Sequence, residues 1–161
     1  MNETDRDLAV YVLVRNDLPS LNPGKAMSQC HHAGVQMVSK HFNNQLVNDY
    51  LADGKPNGAD SFNTTLVMAA NYNQIVDTIN KASQWSSDTI DYGMVVDPSY
   101  PFVVDEEISR LIPQTNTTKI VKVLDNGKVL MVREELTCAW VLIDRNYVSA
   151  RSLFDGLNLH P

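Results

Sequence analysis

The stretch AVYVLVRNDLPSLNPGKAMSQCHHAG, residues 9–34, decides the fold. Residues 9–18 are rich in β-branched and aromatic side chains and run into Pro19 and Ser20, the composition of a strand leaving a sheet. From Pro23 to about Phe42 no further proline occurs and the apolar spacing is helical, with Asn22 as N-cap and Pro23 at the first helical position. A strand feeding a helix opens a β-α unit.

The same alternation continues downstream. TTLVMAA (64–70) suits a buried strand, NYNQIVDTINKASQW (71–85) an amphipathic helix and DYGMVVD (91–97) another strand. Between them, NNQLVNDYLADGKPNGADSFN (43–63) gathers Gly, Pro, Asn and Asp, which predicts a frayed helix followed by a surface loop. VDEEISRLI (104–112) reads as a short helix. TKIVKVLDNGKVLMV (118–132) is two β-type runs around Asp125-Asn126-Gly127, a strong hairpin signal. TCAWVLI (137–143) reads as a last central strand, and the C-terminal segment as a short helix packing Val148, Phe154 and Leu157. The expectation is an α/β sandwich forming a single domain over residues 1–161.

Composition narrows the functional classes. The 161 residues are 43% hydrophobic and 20% charged, ordinary for a chain that folds on its own. No apolar run is long enough to cross a bilayer and the N-terminus is acidic, so the expected location is the cytoplasm, away from membranes. Cys30 and Cys138 have neither metal-ligand nor disulfide-framework spacing, and no metal or cofactor is expected. A net charge of −6 argues against extensive non-specific grip on a phosphate backbone.

Placed on a helical wheel at ~100° per residue, Lys25, Gln29, His32 and Gln36 share one stripe. Ala26, Cys30, Ala33 and Met37 share the next, a small-residue stripe suited to packing on a sheet. The first stripe should therefore run along the rim of the sheet, near the carboxyl edge of the first strand, where unpaired N–H groups and the helix dipole attract an anion. Lys25 adds a full positive charge there, and Gly24 permits close backbone approach. His31, His41 and His160 read as surface residues. Cys30 reads as a small hydrophobe. Tyr100 and Trp85 are residues that could stack a base or simply fill space.

Arg15, Asp17, Leu18, Gly24, Lys25, Gln29, Cys30, His32 and Ala33, in that order and spacing, resemble the archaeal and eukaryotic type of peptidyl-tRNA hydrolase, whose first strand ends in Arg-x-Asp-Leu and whose first helix carries Gly-Lys-x-x-x-Gln-Cys-x-His-Ala. The resemblance covers residues 9–38. It implies a three-layer α/β/α arrangement around a mixed sheet of four strands, a frequent homodimer, and hydrolysis of the ester between a peptide and the 3′ end of tRNA. Beyond the first helix it thins. The approach to the second strand, ADSFNTT, lacks the family's lysine; DPSYP (97–101) keeps Asp97 but loses glycine, arginine and threonine; and residues 102–136 intervene before Thr137, the best match to the family's last threonine. That insertion contains the β-hairpin.

The expected site therefore comprises Lys25, His32 and Asp97 as catalytic groups and Arg15, Asp17, Gly24, Gln29, Tyr100 and Thr137 as substrate contacts. Histidine or aspartate would move protons while Lys25 and the helix N-terminus stabilise developing negative charge. Asp17 would orient Lys25 or His32, or form a structural ion pair with Arg15. The expected partner is a nucleotide-containing substrate: the tRNA 3′ end or, given the acidic balance, a small cyclic nucleotide signal of the sort a phage or other virus would profit from destroying. A non-catalytic nucleotide-binding protein is the third reading.

Overall fold

In the computed structural model, which describes residues 6–18, 21–53 and 63–160, a mixed sheet of six strands is built from β1 (Leu8–Arg15), β2 (Thr64–Ala70), β3 (Ile90–Asp105), β4 (Lys119–Val123), β5 (Lys128–Asp144) and β6 (Asn158–Leu159). Among the described residues five helices accompany it: α1 (Pro23–His41), α2 (Gln45–Asp53), α3 (Tyr72–Ala82), α4 (Glu106–Ser109) and α5 (Ala150–Phe154). The strand order is β3-β5-β1-β2-β6, with β4 added to β5. β1 and β2 are parallel and every other pairing is antiparallel. The fold is α/β with a mixed sheet, and the sheet has two strands more than the resemblance implies.

β1 is buried along its whole length, as a central strand must be. Its alternate residues feed two cores. Leu8, Val10, Val12 and Val14 pack with Ala26, Ala33 and Met37 of α1, Leu46 and Val47 of α2, and Trp140. Ala9, Tyr11 and Leu13 pack with Ile75 and Ile79 of α3 and Leu153 and Phe154 of α5, Tyr11 stacking on Phe154 at 4.1 Å between centroids. Each fully buried Leu, Val or Ile stabilises such a core by roughly 1.5–3 kcal/mol.

Both long helices start as their sequences dictate. Asn22 caps α1 by accepting from Lys25 N, and Asn71 caps α3 in a reciprocal capping box with Gln74. α2 matches the helical part of the reading over 43–63; residues 54–62 of that reading lie outside the described residues. α5 forms where expected, with Val148 and Phe154 buried and Leu157 against the same core.

Three expectations need correction. β3 does not stop at Asp97 but continues through Pro98 and Pro101 to Asp105, 16 residues in all. The prolines are tolerated because β3 is an edge strand and because Pro98 falls where the register slips between Asp97 and Tyr100. The helix expected over 104–112 is the single turn α4, whose N-cap Asp105 makes no side-chain capping bond. The last strand does not start afresh at Thr137: β5 runs unbroken for 17 residues from the Gly127 turn, where φ is +72°. Residues 102–136 are thus largely an extension of two body strands, forming with β4 a three-stranded arm that has its own small core of Phe102, Val129 and Met131.

Candidate functional site

α1 and α3 follow the parallel strands β1 and β2, so both helix N-termini come to the carboxyl edge of those strands. There the arm leaves the body, and β3 and β5 slip register twice, at Val95/Val96 and at Asp97/Tyr100. Bulges re-aim side chains. Most of the residues singled out from the sequence gather at this junction.

Lys25 leans from the first turn of α1 across to β3. Its ammonium donates to the Pro101 carbonyl at 3.2 Å and lies 5.0 Å from the centroid of the Tyr100 ring. No carboxylate pairs with it among the described residues. Gly24 is exposed beside it, with open space around its Cα apart from the Asn22 cap. Tyr100 is 1% exposed, so its ring supports Lys25 and is not a free stacking surface.

One turn on, Gln29 is 4% exposed. Its Oε1 accepts from the Thr137 hydroxyl at 2.5 Å, and its backbone carbonyl lies 3.3 Å from Cys138 Sγ. The packing stripe of α1 is therefore Ala26, Gln29, Ala33 and Met37, with Cys30 only half-buried. This rotates the helix relative to the expected stripe, because a buried amide that finds a buried hydroxyl is as acceptable inside as a hydrophobe. His32 lies about 60° round the helix from Gln29, on the side away from Ala26 and Ala33, and stays outside. It is exposed, its nearest ring contact is His31 at 6.4 Å, and it has no hydrogen bond or ion pair among the described residues.

Arg15, 6% exposed, anchors the strand end. Its Nε bonds Asp17, its Nη1 reaches Glu135 Oε1 at 2.9 Å and the Leu136 carbonyl at 2.8 Å, and its guanidinium sits 5.3 Å from the Tyr72 ring centroid. Asp17 also accepts from Tyr72 N at 3.2 Å. Desolvation opposes the charge on both members of this pair, yet the hydrogen bonds win: Arg15 is held above its usual value and Asp17 below the usual carboxylate range. Asp17 therefore orients Arg15 and the start of α3, not Lys25 or His32. Asp97 is half-buried opposite Glu135, its Oδ1 accepting from Ser99 N at 2.9 Å.

Three features escaped the sequence reading. Glu135 is shared by Arg15 and by Arg133, whose Nη2 lies 2.6 Å from Glu135 Oε2. The only trace was the alternation Arg133, Glu135, Thr137 in a β-type run. His41 is not a bystander: its Nδ1 lies 2.9 Å from Asp91 Oδ2, which also accepts from Asn44 at 3.0 Å, and its ring meets Trp140 edge-on at 5.0 Å. Gln36 bridges Trp140 Nε1 at 3.1 Å and the Met94 carbonyl at 3.0 Å. These bonds fasten the far end of α1 to the sheet.

A mostly apolar cleft of 330 Å³ lies beside α3, between Tyr72, Val76, Met94, Val96 and Leu136, and Lys25 does not line it. Among the described residues no three His, Cys, Asp or Glu side chains gather as a metal site, and no helix is long and apolar enough to cross a membrane.

No protein-family model matches the chain, and no curated protein does. Among solved structures, it is similar to a protein of unknown function from Agrobacterium, at 11% identity over 96% of this chain and 98% of that one, with a TM-score of 0.48.

Proposed function

We propose that this protein is a hydrolase of the peptidyl-tRNA hydrolase type, cleaving the ester between an acyl or peptidyl group and the 3′ oxygen of tRNA. The observation that carries the reading is Lys25: a cation with no carboxylate among the described residues, on the first turn of a 19-residue helix and at the carboxyl edge of a parallel strand pair. Such a group favours an anion. In the proposed step water attacks the ester carbonyl, its proton passes to Asp97, the carbonyl oxygen gathers negative charge facing Lys25, and the ribose 3′ oxygen leaves with the proton from Asp97. Thr137 and Gln29 set the distance between α1 and β5. His32, exposed and without an orienting partner, has no part in this step.

The scaffold adopted for this reading is one three-layer α/β/α domain with the arm as its insertion, acting in the cytoplasm as a homodimer. Cleavage of a small cyclic nucleotide is the second reading. It is favoured by the site's charge: Arg15 and Arg133 are already paired with Asp17 and Glu135, which leaves little positive surface for a long RNA.

Incubating the purified protein with an N-blocked aminoacyl-tRNA and, separately, with a panel of cyclic nucleotides decides between them. Release of free tRNA is the expected result. Cleavage of a cyclic nucleotide with tRNA untouched establishes the second reading, and tight binding with turnover of neither overturns both and points to a nucleotide-binding protein.

A further inference from the structure

The arm supplies a second cation that the sequence reading did not use. Tyr100, Pro101 and Phe102 pair in unbroken register with Arg133, Val132 and Met131, so the Tyr100 and Phe102 rings project from the same face of β3. Lys25 Nζ lies 5.0 Å from the centroid of the first ring, and Arg133 Cζ 5.0 Å from that of the second. Two cations thus stand on neighbouring rings of one strand face.

We propose that Lys25 and Arg133 together seat one phosphate group of a nucleotide ligand, with Tyr100 and Phe102 as the platform that holds the cations in place. The two ring-bearing residues are two apart on the strand, about 7 Å, and a phosphate takes charge-assisted hydrogen bonds of about 2.7–2.9 Å from a cation on each of its sides. Both cations retain donor capacity. Among the described residues Lys25 has one carbonyl and no carboxylate. Arg133 engages only Nη2, and its Nε is buried without a hydrogen-bond partner among the described residues. Among the described residues the one carboxylate that meets Arg133, Glu135, is shared with Arg15. The Arg133 side chain is 40% exposed, so a phosphate can reach it.

The proposal deepens the hydrolase reading by naming what the site grips, and it stands or falls separately. Both the tRNA 3′ end and a cyclic nucleotide carry a phosphodiester, so the probes include each source: an RNA trinucleotide CCA, a 3′,5′-cyclic nucleotide and inorganic phosphate, with adenosine as the phosphate-free control. Calorimetric titration of the full chain is expected to show that Arg133→Gln weakens at least one phosphate-bearing probe tenfold or more, that Arg133→Lys weakens it less, and that adenosine is unaffected. Circular dichroism of both variants verifies the fold. The CCA and cyclic-nucleotide arms tell which phosphodiester is held. Binding by Arg133→Gln within twofold of the wild type overturns the proposal, as does failure of every phosphate-bearing probe to bind. If binding depends on Arg133 while no ester or phosphodiester is cleaved, the phosphate seat stands and the hydrolase reading fails. Cleavage with an unchanged kcat/KM in Arg133→Gln means the reverse.

Discussion

The Thr137 hydroxyl lies 2.5 Å from Gln29 Oε1, a bond between two buried side chains that joins the arm's root on β5 to the middle of α1. Thr137→Val removes the donor while keeping the shape, leaving a buried amide oxygen without its partner. The expected cost is about 1–3 kcal/mol in urea unfolding. Replacing both residues, Thr137→Val with Gln29→Met, should recover part of that loss. A double variant no more stable than the single one would show that the bond does not hold the helix.

Gly93 offers a sharper stability test. A Cβ there would come 2.6 Å from Trp140 Nε1 and 2.9 Å from Gln36 Oε1, atoms that are themselves bonded to each other. Gly93→Ala is expected to destabilise by about 1–3 kcal/mol and to change the emission of Trp140. An unchanged melting temperature and spectrum would mean that the Trp140–Gln36 bridge gives way freely.

Asp17 predicts an acid dependence. Its folded-state value lies below the unfolded one despite desolvation, because Arg15 and the Tyr72 amide bond its charged form. Such a group contributes stability fully present above the ordinary carboxylate value of 3.8 and lost as pH falls through the lower folded value. Wild type should therefore exceed Asp17→Asn in stability at pH 7, and the gap should close below about pH 4. With Asp17 39% exposed, solvent screening keeps the gap small. A gap that stays constant down to pH 2 contradicts this assignment.

The two cysteines should differ in reactivity. Desolvation, reinforced by the nearby Cys30, pushes the Cys138 thiol up to about 12, and burial raises half-buried Cys30 as well. Iodoacetamide at pH 8 is expected to leave Cys138 intact in the native protein and to modify both thiols after denaturation. Mass-spectrometric detection of rapid native labelling at Cys138 would show that the α1–β5 contact opens.

Under the proposed hydrolysis, activity should separate Lys25 from His32. Removing a preorganised charge-stabilising group costs on the order of 10²–10³ in kcat, so Lys25→Ala should fall that far. Asp97→Asn should fall about 10²–10⁴. His32→Ala, changing an exposed ring, should retain activity within about threefold of wild type, since surface groups away from the reacting atoms contribute little. Comparable losses in Lys25→Ala and His32→Ala would return His32 to the centre of the reaction.

What the sequence disclosed was local. The Asn22 cap, the 23–41 helix, the 64–70 strand and the Asp125–Gly127 turn each rest on residues within a few positions of one another, and each stands where it was read. What it hid was pairing over distance. His41 looked solitary because Asp91 is 50 positions away, and Glu135 drew no notice because Arg15 is 120 positions away. The wheel misplaced Gln29 because periodicity counts an amide as polar and cannot see Thr137 waiting for it. β6, two residues long, has no period to read.

β3 and β5 pass from the body into the arm as continuous strands, and their only register slips on the way flank Val95–Tyr100. A load applied at the Gly127 tip is therefore delivered, through two unbroken lines of backbone, to the weakest joint in the ladder, where Asp97 sits. The arm thus shares its backbone with Asp97 and, through the Pro101 carbonyl, holds Lys25.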